Sequence, residues 1–173
     1  MAEWPALPFE EWRATCDTVH AHAQVLGKLA SALAPEEPDY QHLALRFTAR
    51  GWETKPLPAP NGSGSFVVAL LLSEGDAVVE HSDGHVARVP LAPDRSVGAV
   101  TRDVLGAVRA LAGPVEVVLT PSETGWTTPL DEDEEHAAYD RGHVARSSAS
   151  TSDARVAGAR RPSTPGGARS TSR

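Results

Sequence analysis

Phe66-Val67-Val68-Ala69-Leu70-Leu71-Leu72 leads through Glu74-Gly75-Asp76 to Ala77-Val78-Val79-Glu80-His81, and through Asp83-Gly84 to Val86-Ala87-Arg88-Val89-Pro90-Leu91. The first run is apolar throughout and reads as a central strand covered on both faces. Glu74-Gly75-Asp76 is a turn and Ala77 to His81 the next strand. Asp83-Gly84 is a hairpin signal, because these residues tolerate the positive φ that a tight turn between twisted strands requires. Phe66 to Leu91 is therefore expected to form an antiparallel meander. With a two-residue Asp83-Gly84 loop, Ser82 would face His85, and the imidazoles of His81 and His85 would point to opposite faces. A three-residue loop would leave His85 at the tip. Neither register suggests joint metal ligation, and the hairpin end reads as solvated.

Upstream, the apolar residues Phe9, Trp12, Cys16, Val19, Ala23, Leu26, Ala30 and Leu33 recur at alternating intervals of 3 and 4. That period predicts an amphipathic helix starting after Pro8, with Glu10 and Glu11 at its positive end and Pro35 as its stop. Leu43, Leu45 and Phe47 alternate with polar or small residues and predict a half-buried strand within His42 to Arg50, ended by Gly51. Trp52 to Leu57 reads as a short paired segment and Pro58 to Ser65 as a flexible loop. Downstream, Ser96 is a plausible N-cap for a second helix carrying Val97, Val100, Val104, Leu105, Val108, Leu111 and Ala112, and Gly113-Pro114 ends it. Val115 to Leu119 is expected as a last strand, and Pro121 to Pro129 as a loop holding Trp126. The order implies an α+β, two-layer domain, a mainly antiparallel sheet of about five strands with two helices on one face. The apolar Phe66 strand implies cover for the other face, from a protein partner or a second copy of the chain.

Composition divides the chain of 173 residues in two. Every Trp, Phe and Tyr lies at or before Tyr139. Residues 1–140 carry 9 Lys and Arg against 22 Asp and Glu, whereas residues 141–173 carry 7 Arg against 1 Asp. The expected organisation is an acidic folded domain over 1–140 and a disordered, basic Arg/Ser/Ala/Gly-rich tail over 141–173, too poor in apolar residues to offset its chain entropy. An acidic body lacks the basic face that phosphates require, which argues against nucleic-acid binding. The single Cys16 excludes an intrachain disulfide, and no cysteine cluster suggests zinc, so no cofactor is expected and a reducing, cytoplasmic setting fits. No secretory signal opens the sequence, and no run approaches the roughly 18 apolar residues of a membrane span.

The densest ionisable group is Pro129-Leu130-Asp131-Glu132-Asp133-Glu134-Glu135-His136-Ala137-Ala138-Tyr139-Asp140. Asp131 can N-cap a helix with Glu134 completing a capping box, and on that helix Glu132, His136 and Tyr139 or Asp140 would share a face. Glu132, His136 and Asp140 are the catalytic and metal-ligating candidates, since carboxylates around an imidazole can bind a cation or share a proton near neutrality. The plainer reading is a capped helix start, acidic by dipole logic. Arg50 as an anion contact, with Trp52 and Tyr139, makes up the ligand-binding candidates. Cys16 and His20, four apart on the first helix, could form a thiolate–imidazole pair, but Cys16 sits where a small inert hydrophobe belongs.

Trp4-Pro5-Ala6-Leu7-Pro8-Phe9-Glu10-Glu11-Trp12, His20, Gln24-Val25-Leu26-Gly27-Lys28, Thr48-Ala49-Arg50-Gly51, Ser82-Asp83-Gly84, Asp131-Glu132-Asp133, His136 and Tyr139-Asp140 together resemble an uncharacterised bacterial family, domain of unknown function 5996. The resemblance covers most of residues 4–140 and implies no established activity. Two departures stand out. Asp39-Tyr40-Gln41-His42 replaces an aromatic-rich Asn-His-Trp-Trp segment, and beyond Asp140 the chain no longer follows the family's second half. The tail reads either as out-of-frame translation of a GC-rich gene or as a divergent disordered segment. The expected function is a ligand- or partner-binding domain, the N-terminal half of a larger unit; the alternative is a metal-assisted enzyme fragment using the segment 131–140.

Overall fold

The computed structural model describes residues 9–145. A long helix α1 (Phe9–Leu33) is followed by a 3-10 segment (Pro38–Leu43) and the strands β1 (Arg46–Thr48), β2 (Gly51–Glu53), β3 (Leu57–Pro58), β4 (Ser65–Leu71), β5 (Asp76–His81) and β6 (Val86–Pro90), then helix α2 (Val97–Ala112). All strand pairs are antiparallel, in the order β1-β2-β4-β5-β6, with β3 also on β4. The α+β sheet and its meander thus form where the alternation and turn residues place them.

β2 and β3 are two stretches of one path beside β4, interrupted around Thr54 to Pro56. Pro56 has no N–H for a ladder. At the break, Thr54 N–H donates to Val68 O (2.9 Å), and Val68 N–H donates to Thr54 Oγ1 (3.1 Å), so a hydroxyl replaces the missing carbonyl. Between β5 and β6 the ladder pairs Glu80 with Val86, and His81 N–H reaches His85 O at 2.9 Å. The loop therefore has three residues, 82–84, with Gly84 at φ +94°.

Phe66, Val68 and Leu70 of β4 and Ala77 and Val79 of β5 face one way and pack with Val25, Leu26 and Leu29 of α1 and Val97, Val100, Val104 and Val108 of α2. Both helices lie on this face. Ala69, Leu71 and Val78 form a separate buried island on the other. Register sets Arg88 opposite Val78 and Asp76 opposite Leu71. Arg88 bridges Asp76 at 2.9 Å and Glu74 at 3.1 Å, so ion pairs rim the island. α2 begins with Ser96 Oγ accepting from Ala99 N–H at 3.1 Å and ends at Gly113, whose φ of +101° excludes most side chains.

Three local expectations are corrected. His42 and Leu43 belong to the 3-10 segment, and the strand shrinks to β1. Val115, Val117 and Leu119 do alternate towards the core, with Val118 75% exposed, but the segment joins no sheet. Leu119 O instead accepts from Leu130 N–H at 3.0 Å. In α1, Phe9 is 52% exposed, whereas Thr15, Thr18 and His22 are buried. The N-terminal half of the helix buries a face the apolar stripe does not mark: Thr15 and Thr18 meet the backbone of Ala138, and His22 faces Val100, Thr101 and Val104 of α2 across a small cavity. Among the described residues no helix is long and apolar enough to cross a membrane.

Candidate functional site

The acidic stretch is not a helix; residues 129–140 run as an irregular strap across the first turn of α2 and the side of α1. Its carbonyls already have partners. Gly98 N–H donates to Asp133 O (2.7 Å), Val97 N–H to His136 O (2.9 Å) and Asp94 N–H to Ala137 O (3.1 Å). The strap thereby satisfies N–H groups that open the neighbouring helix, which a helix has no internal means of pairing. Gly98 makes the approach possible, since a Cβ there would stand 3.0 Å from the carbonyl oxygens of Asp131 and Asp133. On the α1 side, Thr15 Oγ1 donates to Ala138 O (2.7 Å) and Ala138 N–H to Thr18 Oγ1 (3.1 Å). Those two bonds explain why threonines occupy the buried face.

Asp133 is the centre of the strap and is only 4% exposed. One carboxylate oxygen accepts from Glu135 N–H (3.0 Å) and His136 N–H (3.1 Å); the other lies 2.7 Å from His136 Nδ1. A buried carboxylate on Nδ1 selects the tautomer protonated there and leaves Nε2 as the acceptor. The His136 ring packs on Trp126 with centroids 4.4 Å apart, and Trp126 meets His20 of α1 at 5.4 Å. The His136 side chain keeps 14% exposure, and His20 is exposed. An aromatic corner results, holding one oriented imidazole and one exposed one.

Deeper in α1, His22 is 2% exposed, and burial lowers its pKa from 6.5 to about 4; nearby Asp133 opposes the shift and Arg95 adds to it. Its Nδ1 and the hydroxyl of Thr101 are both buried without a hydrogen-bond partner, and both residues line a cavity of about 10 Å³, the size of one water.

The candidates read from the sequence are dispersed. His136 is at the corner. Glu132 and Asp140 are exposed; Asp140 Oδ1 accepts from His143 N–H at 2.9 Å and opens the helical turn over 141–145. Without a helix over 131–140, the spacing that put Glu132, His136 and Asp140 on one face does not apply. Among the described residues no group of three or more His, Cys, Asp or Glu could hold a metal. The Tyr139 hydroxyl is buried and donates to Leu72 O (2.7 Å), and burial pushes its pKa up to about 12. Arg50 pairs with Glu74 at 3.1 Å, and Trp52 stands edge-on to Phe47 at 5.8 Å on the β1–β2 edge. Cys16 is half-buried, and burial followed by the Asp17 charge raises its pKa, as suits an inert thiol. His81 and His85, expected on opposite faces with a two-residue loop or with His85 at the tip of a three-residue one, both turn Nδ1 towards Asp83 Oδ1 at 2.9 Å, because the three-residue loop 82–84 sets them opposite one another.

Asp133 and Trp126 were not among the sequence candidates, and His20 was considered only as a partner of Cys16. The Asp133-His136 spacing was legible, but its meaning depends on a non-helical backbone. The packed body also runs past Asp140, since Val144 is 5% exposed. A family model, the family of unknown function DUF5996, matches residues 4–156, and the chain belongs to that family. The match continues beyond Asp140. No curated protein and no solved structure matches the chain.

Proposed function

We propose that this member of the DUF5996 family is a ligand-binding domain whose site is the corner formed by His20, Trp126 and His136. One observation carries the reading: the buried carboxylate of Asp133 stands 2.7 Å from His136 Nδ1 and so presents Nε2 as a fixed proton acceptor beside an indole face. A ligand suited to it is small and planar, stacks on Trp126 and offers an N–H or O–H to Nε2. The metal-assisted alternative rests on Glu132, His136 and Asp140 and has no assembled ligand set to support it. The lone cysteine supports a reducing, cytoplasmic setting.

The test is a thermal-shift screen of the full chain against planar heteroaromatics such as purines, nicotinamide and indole. A compound that raises the melting temperature should lose its effect in Trp126→Ala and in His136→Ala and keep it in Trp52→Ala. Hits indifferent to both corner substitutions, or none among the planar compounds, would overturn the reading.

A further inference from the structure

At the opposite end of α2 the chain assembles a different kind of chemistry. The loop between β3 and β4 carries Asn61-Gly62-Ser63-Gly64 and is tied down by Asn61 N–H donating to Ala112 O (3.0 Å) and Ala59 N–H donating to Gly64 O (2.9 Å). Gly64, at φ +135°, lets this loop lie against the β5–β6 hairpin, for a Cβ there would stand 2.4 Å from Ser82 Oγ. Register places His81 beside Phe66, on the core face, so its imidazole is buried beneath the loop with 1% side-chain exposure. Ser63 is exposed above it.

His81 Nε2 lies 3.0 Å from Ser63 Oγ, and His81 Nδ1 lies 2.9 Å from Asp83 Oδ1. We propose that Ser63, His81 and Asp83 form a nucleophile–base–orienter triad able to cleave small, unhindered esters. Such a triad is recognised by geometry and roles rather than by chain order. Asp83 N–H also approaches Nδ1, at 3.3 Å; the reactive form is the tautomer whose Nδ1 proton turns to the carboxylate 2.9 Å away. Hydrogen bonds from the His85 backbone, then from the His81 and His85 rings, hold the Asp83 carboxyl well below its usual range, so it stays an anion. The Ser63 hydroxyl has two acceptors, Asn61 Oδ1 at 2.6 Å and His81 Nε2. Turned to Nε2, it can be deprotonated.

As Ser63 Oγ bonds to the ester carbonyl carbon, its proton passes to Nε2. The carbon–alkoxide bond breaks, and the leaving oxygen takes that proton. Water then attacks the acyl-serine while Nε2 accepts its proton; the acyl–Oγ bond breaks, Oγ takes that proton back from Nε2, and the acid leaves. The triad is separate from the Trp126 corner, which lies at the other end of a 16-residue helix, about 24 Å long.

Full-length protein treated with a fluorophosphonate, and separately with p-nitrophenyl acetate, tests the proposal, with adducts located by mass spectrometry. The expected adduct is on Ser63, absent in Ser63→Ala and retained in Ser65→Ala. Asp83→Asn should slow labelling by about a hundredfold or more and remove the downfield Nδ1 proton resonance of His81. Circular-dichroism melts of Ser63→Ala, altered only on an exposed loop, guard against misfolding. Labelling confined to other residues, or a wild-type rate in Asp83→Asn, would overturn it.

Discussion

The β4–β6 meander and the strap over 129–140 pack into one body by different means. In the meander, backbone groups pair with an adjacent strand, and side chains alternate with a period of two, so each residue's partner follows from its position. In the strap, backbone groups bond to the α2 N-terminus, to Asp94 and to two threonines of α1, without a period. The first arrangement tolerates many sequences of the right pattern. The second depends on single residues, so substitutions there should weigh more than their number suggests.

Asp133→Ala is the hardest test of that contrast. It strips the acceptor from two backbone N–H groups and from the His136 imidazole around the one buried side chain of residues 131–136. The expected loss is about 3–5 kcal/mol in urea unfolding, because each stranded donor carries its desolvation penalty. Glu132→Ala, one residue away and exposed, should stay within about 0.5 kcal/mol. Equal effects at the two positions would mean that the strap is merely draped over the body.

Next comes acid sensitivity at the α1 face beneath the strap. Folding lowers the pKa of His22 from 6.5 to about 4. Below 6.5 the unfolded chain takes up a proton that the folded chain refuses, so stability falls as pH drops towards 4, by about 3 kcal/mol in all. Above 6.5 the group contributes no slope. His22→Gln should flatten the profile between pH 6.5 and 5, where few carboxylates titrate. An unchanged slope would show that the imidazole is not held neutral.

These contrasts explain what could be read in advance. α2 was legible because its cap, its apolar positions and Gly113-Pro114 all lie in one continuous run. Phe66 to Leu91 was legible for the same reason, down to the hairpin, though not the loop length that turned His81 and His85 towards one carboxylate. The strap was misread as a helix because a capping pattern is local evidence, whereas its carbonyls are taken by N–H groups about forty residues away. Val115 to Leu119 alternates as a strand should, yet sequence cannot say that no sheet edge is beside it. His136 could be singled out as an ionisable group. Its partners Asp133, Trp126 and His20 required the tertiary path, as did Ser63 over His81.

A single residue type isolates the difference further. Gly98 and Gly106 belong to the same helix, but a Cβ at Gly98 meets strap backbone at 3.0 Å, while one at Gly106 meets nothing within 4 Å. Gly98→Ala should cost about 1–3 kcal/mol, the overpacking outweighing the better helix propensity. Gly106→Ala should gain about 0.5–1 kcal/mol. Chemical denaturation of the two variants reads both signs, and a gain at Gly98 would show that the strap yields easily.

The smallest effect is expected where the strap meets the meander itself. Tyr139 is buried, its ring sits in the common core, and its hydroxyl donates to Leu72 O just beyond the end of β4. Tyr139→Phe keeps the ring and removes only that donor, leaving one carbonyl short of a partner. A loss of about 1 kcal/mol should follow, since a carbonyl has two lone pairs and tolerates under-satisfaction better than an N–H. Tyr139→Ala would instead open a cavity and cost about 3–5 kcal/mol. If Tyr139→Phe approached the cost of Tyr139→Ala, the strap would depend on the hydrogen bond. If the two differ as expected, the strap joins the sheet as one apolar residue joins another, and its dependence on single polar residues is confined to its contacts with the two helices.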